Sequence, residues 1–362
     1  MRIAVNTGGG DAPGLNAVIR AVTLSALRNE WEVFGIRRGY GGLLEDDEDA
    51  GVVPLDAGRV RGITHLGGTI LGTTNRGNPF EWPITGPDGT RDTVDRSDEV
   101  VAAFHEHRFD ALVAIGGDGS LRIASRLMAK GIPVVGVPKT IDNDLAATEV
   151  TFGFHTAVQT ASEAIDKLHS TAESHERVMV VEVMGRTAGW IALTAGLAGT
   201  ADVILIPEIP YDIAKVSEKI RWRYRHGRRF AIVVAAEGAV PAGGAASVIE
   251  KATPGYAPRF GGVAERIARE LWEHSGHESR ALVLGHLQRG GSPSAHDRCI
   301  ALRYGAAAVR LLERGQLGTM VALRNDVITA VPIAEAIAEV RQVPLDSDIV
   351  LTARELGVCF GD

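Results

Sequence analysis

The chain has 362 residues, 45% hydrophobic and 23% charged, with 43 glycines and a net charge of −7. That length supports one large domain or two of ordinary size. Aromatics at 5% are too few for a single-stranded nucleic-acid platform, and the negative balance argues against a polyanion as the main partner. Cys299 and Cys359 stand far apart, forming neither a disulfide framework nor a zinc spacing, and suit a reducing compartment. No histidines show HExxH-type spacing. The opening run Met1–Asn6 reads as a strand and not a signal peptide, and no apolar stretch reaches the roughly 20 residues of a membrane span. A cytoplasmic protein without nucleic-acid or membrane partners is expected.

Short apolar, β-branched runs alternate with amphipathic stretches along most of the chain. The pattern predicts strands at Ile3–Asn6, Glu32–Ile36, Ala111–Ile115, Val134–Val137, Val178–Val183, Val203–Ile206, Phe230–Ala235 and Ala281–Leu284. Helices are predicted, among others, at Gly14–Asn29, Leu121–Lys130, Phe154–Ser170, Asp212–Tyr224, Val263–Ser275 and Ala295–Glu313. Continuous apolar strands alternating with helices imply mainly parallel sheets covered on both faces, a doubly wound α/β class. The stretch from Glu45 to Ser97, rich in Gly, Asp, Pro and Thr, reads as an elaborated loop region with a short hairpin, placed over the donor site.

Ligands of such sheets bind at the carboxyl ends of the strands, where five polar clusters fall. In Thr7-Gly8-Gly9-Gly10-Asp11-Ala12-Pro13-Gly14, glycines let backbone N–H groups approach a phosphate at a helix start; the plainer reading is a tight turn. Gly116-Gly117-Asp118-Gly119-Ser120 places a carboxylate where magnesium meets phosphates, or where it caps the next helix. Pro138-Lys139-Thr140-Ile141-Asp142-Asn143-Asp144 carries two carboxylates for a proton acceptor and a metal ligand, or an Asx-turn. Met184-Gly185-Arg186 brings an arginine suited to transferring phosphoryl charge, or to a surface ion pair. The fifth, Gly285 to Pro293 with Arg280 before it, offers His286 and Arg289 around a glycine turn, a clamp for a sugar phosphate. The basic run Arg221–Arg229, with Trp222 and Tyr224 interleaved, reads as cations complementing a helix C-terminus rather than a nucleic-acid surface.

GGDAPGLN, GGDGS, PKTIDND, VEVMGR and GHLQRGGSP, in this order from Gly8 to about Arg310, together resemble the phosphofructokinase family. The resemblance implies two similar doubly wound α/β domains with the active site in the cleft. Residues 1–153 plus about 288–338 would bind the donor, and 154–287 plus about 339–362 would bind fructose 6-phosphate. It makes Asp142 the base for the sugar's C1 hydroxyl, Asp144 and Asp118 the carboxylates around Mg2+, Thr140 a contact to the moving phosphoryl group and Arg186 its stabiliser. Gly10, Tyr40, Gly117, Asp118, Gly119, Ser120 and Lys139 match donor positions. Arg76 matches the donor-phosphate arginine once Thr74-Asn75-Arg76-Gly77 is aligned with a one-residue insertion. Met184, Gly185, Glu237, His286 and Arg289 match sugar-phosphate positions of one subunit. Arg177 and Arg280 match arginines that reach in from a neighbour, implying a homotetramer with a dimer as minimum.

ATP is the donor the resemblance favours through Gly119, although Lys139 stands where pyrophosphate users commonly carry lysine. A pyrophosphate-dependent enzyme is therefore the alternative. Lipid or NAD kinases share the GGDG turn but not PKTIDND or QRGGSP. An inactive sugar-phosphate sensor should have lost Asp118, Asp142, Asp144 or Arg186. Of the family's effector-site positions, Arg20 is kept, Leu24 replaces a second arginine and Asp202 a longer Glu, which implies weak allosteric control.

Overall fold

The computed structural model describes residues 1–44, 51–86, 88–250, 253 and 259–362. The larger of its two main sheets runs, edge to edge, Val327–Pro332, Thr319–Arg324, Val134–Thr140, Ala111–Gly116, Arg2–Thr7, Glu32–Ile36 and Val52–Pro54, with Phe152–Gly153 paired to the end of Val134–Thr140. The central pairs are parallel, and antiparallel strands close both edges. The second sheet has four parallel strands in the order Val203–Leu205, Ala231–Ala236, Val178–Val183, Ser279–Val283. The α/β class with mainly parallel sheets is as the sequence implies, but among the described residues the sheets differ in size, eight strands against four.

Alternation along each strand explains why both faces are covered. In the first strand Ile3 and Val5 enter one apolar cluster and Ala4 the other. In Val178–Val183, Val181 and Val183 face one side and Val178 and Val180 the opposite one. Period-2 residues that are apolar throughout must find a helix layer on each side. Helices Leu15–Arg28 and Ala295–Glu313 pack closely against each other on one face of the larger sheet. Gly305 permits this approach, because a Cβ there would lie 2.7 Å from both Ala21 Cβ and the Val18 carbonyl oxygen.

The predicted helices at Val263–Ser275 and Ala295–Glu313 have those bounds, and the others shift by one to four residues at an end. Asp212 caps its helix instead of joining it, accepting from Ala214 N–H at 2.8 Å. Between Glu45 and Ser97 the described residues add the edge strand Val52–Pro54 and an antiparallel hairpin of Trp82–Thr85 with Arg91–Val94; residues 45–50 and 87 lie outside them. Where the chain leaves the larger sheet for helix Phe154–Ser174, Asp297 is fully buried. It accepts from Gly153 N–H at 2.9 Å and from Thr156 N–H at 2.7 Å. No helix among the described residues is long and apolar enough to cross a membrane.

Candidate active site

Glycine turns meet at the carboxyl edge of the larger sheet. Gly8 N–H donates to the Ile115 carbonyl at 3.0 Å and Gly9 N–H to the Thr74 carbonyl at 3.1 Å, so the first turn lies between the second and the Thr74–Gly77 segment. Ser120 fills the gap: a Cβ on Gly8 would meet its Oγ at 2.7 Å, and one on Gly116 its Cβ at 2.3 Å. Gly119 is exposed, and a side chain there would meet nothing within 4 Å. Arg76 is exposed on the segment bonded to Gly9.

Lys139 lies beneath these turns, 4% exposed, donating from Nζ to the Gly10 carbonyl. Burial, helped by the nearby Arg289 charge, lowers its pKa to about 8, while Asp142, Asp11 and Asp144 pull the other way. Thr140 Oγ1 accepts the Asp142 N–H at 3.0 Å. Asn143 then turns through a left-handed φ of 53°, its Oδ1 accepting the Thr151 N–H at 3.0 Å. This turn directs Asp142 and Asp144 inward, where one carboxylate oxygen of each, Oδ1, is buried without a hydrogen-bond partner. Burial and the neighbouring Asp142 raise the Asp144 pKa to about 6, with Arg186 opposing.

The opposite wall comes from the smaller sheet. Gly185 (φ 140°) and Arg186 (φ 51°) both occupy the left-handed half of backbone space, a strained conformation for arginine that must be held by its surroundings. Glu237 Oε1 holds it by accepting the Arg186 N–H at 2.9 Å. Gly238 leaves room for the Arg186 carbonyl, which a Cβ would meet at 1.8 Å. Burial raises the Glu237 pKa to about 7. Met184 N–H donates to Gln288 Oε1 at 3.3 Å, and Gln288 is fully buried. Arg289, on the same short 3₁₀ turn (Gly285–Arg289) as the exposed His286, donates from Nη1 to the Asp11 carbonyl at 3.0 Å. Arg289 thus joins the Gly285–Arg289 turn to the first glycine turn.

Asp142, Asp144, Lys139, Arg186, Glu237 and Arg289 are therefore brought into one electrostatic cluster, with Asp11 added. The PKTIDND segment pointed to the pair, but nothing in the sequence gave Asp11, Gln288 or Asn143 a separate role. Two expected donor residues sit in surroundings that the sequence does not disclose. Tyr40 is 4% exposed and sits in the apolar cluster with Ala4, Ile36 and Ala114. Burial raises its pKa, Asn6 opposing, and its ring supports the loop from behind. Asp118 begins the helix Asp118–Ala129 and is held by Arg122, Oδ1 to Nη2 at 3.0 Å and Oδ2 to Nε at 3.0 Å. Among the described residues no three His, Cys, Asp or Glu side chains gather as a ready-made metal site.

Arg177 and Arg280 stand apart from the cluster. They lie at the amino ends of neighbouring strands and share Glu278, at 3.1 and 2.5 Å. A six-residue strand (Val178–Val183) separates Arg177 from Met184, about 20 Å at ~3.3 Å per residue. Neither arginine can span that distance to its own cleft. Of the basic run, Arg223 pairs with Asp202 at 2.5 Å and Arg229 with Glu176 at 3.3 Å.

A phosphofructokinase family model matches residues 2–312. The whole chain is 52% identical over 364 residues to ATP-dependent 6-phosphofructokinase of Chloroflexus aurantiacus, covering 98% of that protein. It is 48% identical to ATP-dependent 6-phosphofructokinase 3 of Streptomyces coelicolor, covering 95% of this chain and 97% of that one. Pichia pastoris phosphofructokinase in the T-state superposes with a TM-score of 0.77 at 31% identity, covering 93% of this chain and 35% of that one. The pyrophosphate-dependent phosphofructokinase of Marinobacter aquaeolei gives a TM-score of 0.79 at 24% identity, covering 99% and 92%; that likeness bears on the fold alone. The family model and the full-length relatives lead to one conclusion: this chain belongs to the phosphofructokinase family.

Proposed function

We propose that the protein transfers the terminal phosphoryl group of ATP to the C1 hydroxyl of fructose 6-phosphate, giving fructose 1,6-bisphosphate, as a step of glycolysis in the cytoplasm. The observation that carries this reading is the pair of buried, unpartnered Oδ1 atoms on Asp142 and Asp144, set between the glycine turns and Arg186. Asp142 accepts the hydroxyl proton, Arg186 meets charge on the moving phosphoryl group, and Thr140 orients Asp142 through its backbone N–H. The buried Asp144 oxygen also fits a hard cation, which takes only one or two carboxylates when phosphates supply the rest. When bound there, Mg2+ would neutralise donor phosphate charge. Asp118, already held by Arg122, is the lesser ligand.

ATP is preferred because Gly119 leaves space open and Lys139 is spent on the Gly10 carbonyl; the full-length relatives named above carry ATP in their names. Lys139 is also the residue that favours the second reading, pyrophosphate as donor. We assign the larger sheet to the donor domain and the smaller to the sugar-phosphate domain. Arg177 and Arg280 serve a neighbouring subunit's 6-phosphate pocket, in a homotetramer with a dimer as minimum. Allosteric control is weak, since Asp202 is engaged by Arg223 and Leu24 packs on the core. A sigmoidal response to ADP or phosphoenolpyruvate that Arg20→Ala abolishes would contradict that point. The overall reading is tested by incubating the protein with fructose 6-phosphate, ATP and magnesium. Fructose 1,6-bisphosphate should form at catalytic turnover; its absence with active-site-intact protein would end the proposal.

A further inference from the structure

Beyond residue 312, where the family model ends, residues 340–343 touch both the Asp142–Asp144 turn and the start of the helix after Arg186. Leu145 and Val340 pair as an isolated antiparallel bridge. Arg341 N–H donates to the Asp144 carbonyl at 2.9 Å, and Arg341 Nη1 to the Asn143 carbonyl at 3.3 Å. On its other side, the Arg341 carbonyl accepts from Trp190 Nε1 at 2.9 Å, and its guanidinium lies 4.3 Å from the Trp190 ring centroid. Trp190 opens the helix that follows the Arg186 turn. Two residues on, Val343 N–H and Gly189 N–H both donate to Glu208 Oε1, each at 2.9 Å. One short segment thus grips the backbone of the Asp142–Asp144 turn with one hand and the end of the Arg186 turn with the other.

We propose that Arg341 is a positioning residue for phosphoryl transfer: it sets the separation between the Asp142/Asp144 carboxylates and Arg186 by tying both turns to residues 340–343. This rests on the reading given above for Asp142 and Arg186. Several features argue against a simple anchor for the chain's end. Arg341 is half-buried, and burial lowers its pKa with only Glu149 opposing. Among the described residues it forms no salt bridge; its side-chain Nη1 goes to the Asn143 carbonyl, beside the backbone N–H bond to Asp144. The turn needs such support, because Asn143 is left-handed (φ 53°) and its carbonyl would otherwise lack a fixed donor. Only a planar guanidinium can stack on Trp190 and donate in its plane at once; a lysine ammonium cannot do both.

The experiment compares Arg341→Lys and Arg341→Ala in the full-length assembly with Arg354→Ala. Arg354 also lies in the C-terminal stretch, but it pairs with Asp362 and stacks on Phe360, away from both turns. Well below the lowest Tm, both Arg341 variants should lose about 10- to 100-fold in kcat, the scale of a small misplacement at the reacting centre. KM for both substrates should stay within about twofold of wild type, since binding groups are untouched. Arg354→Ala should lower Tm and leave kcat unchanged. Millimolar guanidinium should restore part of kcat to Arg341→Ala and none to Arg341→Lys. Tryptophan emission should change in Arg341→Ala and not in the same change made on a Trp190→Phe background, a readout independent of which donor the enzyme uses. An Arg341 variant that lowers Tm but keeps wild-type kcat, or an emission that does not respond, overturns the proposal. Wild-type protein with no turnover would instead count against the functional reading. If Arg341→Ala fails to assemble, Arg341→Lys decides on the kcat criterion alone.

Discussion

Lys139 reaches from the end of its strand to donate its Nζ–H to the carbonyl oxygen of Gly10. The bond fixes a cation under the first glycine turn, between that turn and the Asp142–Asp144 pair. Burial and Arg289 bring the Lys139 pKa down to about 8, within reach of an ordinary assay. Lysine loses its charge as pH rises. The free-enzyme profile of kcat/KM for ATP should therefore fall above about pH 8, and Lys139→Gly should remove that alkaline limb. A wild-type profile flat to pH 9.5 would show that the Lys139 charge does not matter to the donor.

Asp144 should weaken the fold that uses it. Its pKa is raised from 3.8 to about 6, mainly by burial and then by Asp142. A raised carboxylate value means that the folded protein holds its proton more tightly than the unfolded chain does. The cost is absent below about pH 4, grows through pH 6 and is complete above it. Asp144→Asn should consequently raise Tm by several degrees at pH 8, leave it nearly unchanged near pH 4, and lower kcat. Equal Tm values for the two proteins at pH 8 would remove the electrostatic strain from the account.

Shared sites can be read by complementation. Arg280 is exposed on the edge strand Ser279–Val283, whose outer side has no strand partner among the described residues. Asp142→Asn alone should cost at least about 10²-fold in kcat, the lower range for losing a general base. Mixing it with Arg280→Ala, after confirmed subunit exchange, should regenerate activity, because some hybrid sites contain both intact halves. Activity no greater than the sum of the separate variants would place both residues in one subunit's site.

Much of this was legible in the residues because period-2 and period-3.6 patterns are strongest where strands and helices are buried on their faces. Helix Val263–Ser275 and the strand Val178–Val183 were bounded correctly for that reason. The edge strand Val327–Pro332 and its inner neighbour Thr319–Arg324 are not among the strands the sequence pattern predicts. Their partly exposed residues dilute the apolar run, although the Asn325-Asp326 turn between them, both residues at positive φ, is a hairpin signal in the sequence. Asp142 and Asp144 are legible as candidates because the turn concentrates its polar groups in contiguous residues. The burial of Tyr40 is not legible, because a sequence position near a glycine turn does not say which side of the sheet its ring takes. Asp118 kept its predicted place, but Arg122, one helical turn on, claims its carboxylate. Arg341 was invisible for the opposite reason to Asp142: its contacts are to backbone carbonyls almost two hundred positions earlier in the chain.

The donor is the central claim, and Gly119 and Lys139 make opposite demands on it. A Cβ at Gly119 would meet open space, so Gly119→Asp should fold normally and place a carboxylate beside the turn where donor phosphates are expected. Repulsion there has no outlet, whereas Lys139 is already committed to the Gly10 carbonyl. Gly119→Asp should accordingly suppress the ATP reaction more than Lys139→Gly does. The most direct measurement is the initial rate with fructose 6-phosphate and magnesium, at matched low concentrations of ATP and of pyrophosphate. ATP should give a kcat/KM at least about tenfold above that for pyrophosphate, roughly 1.4 kcal/mol of transition-state preference. Faster turnover of pyrophosphate by the wild-type enzyme would contradict it and make Lys139 the determinant of the donor.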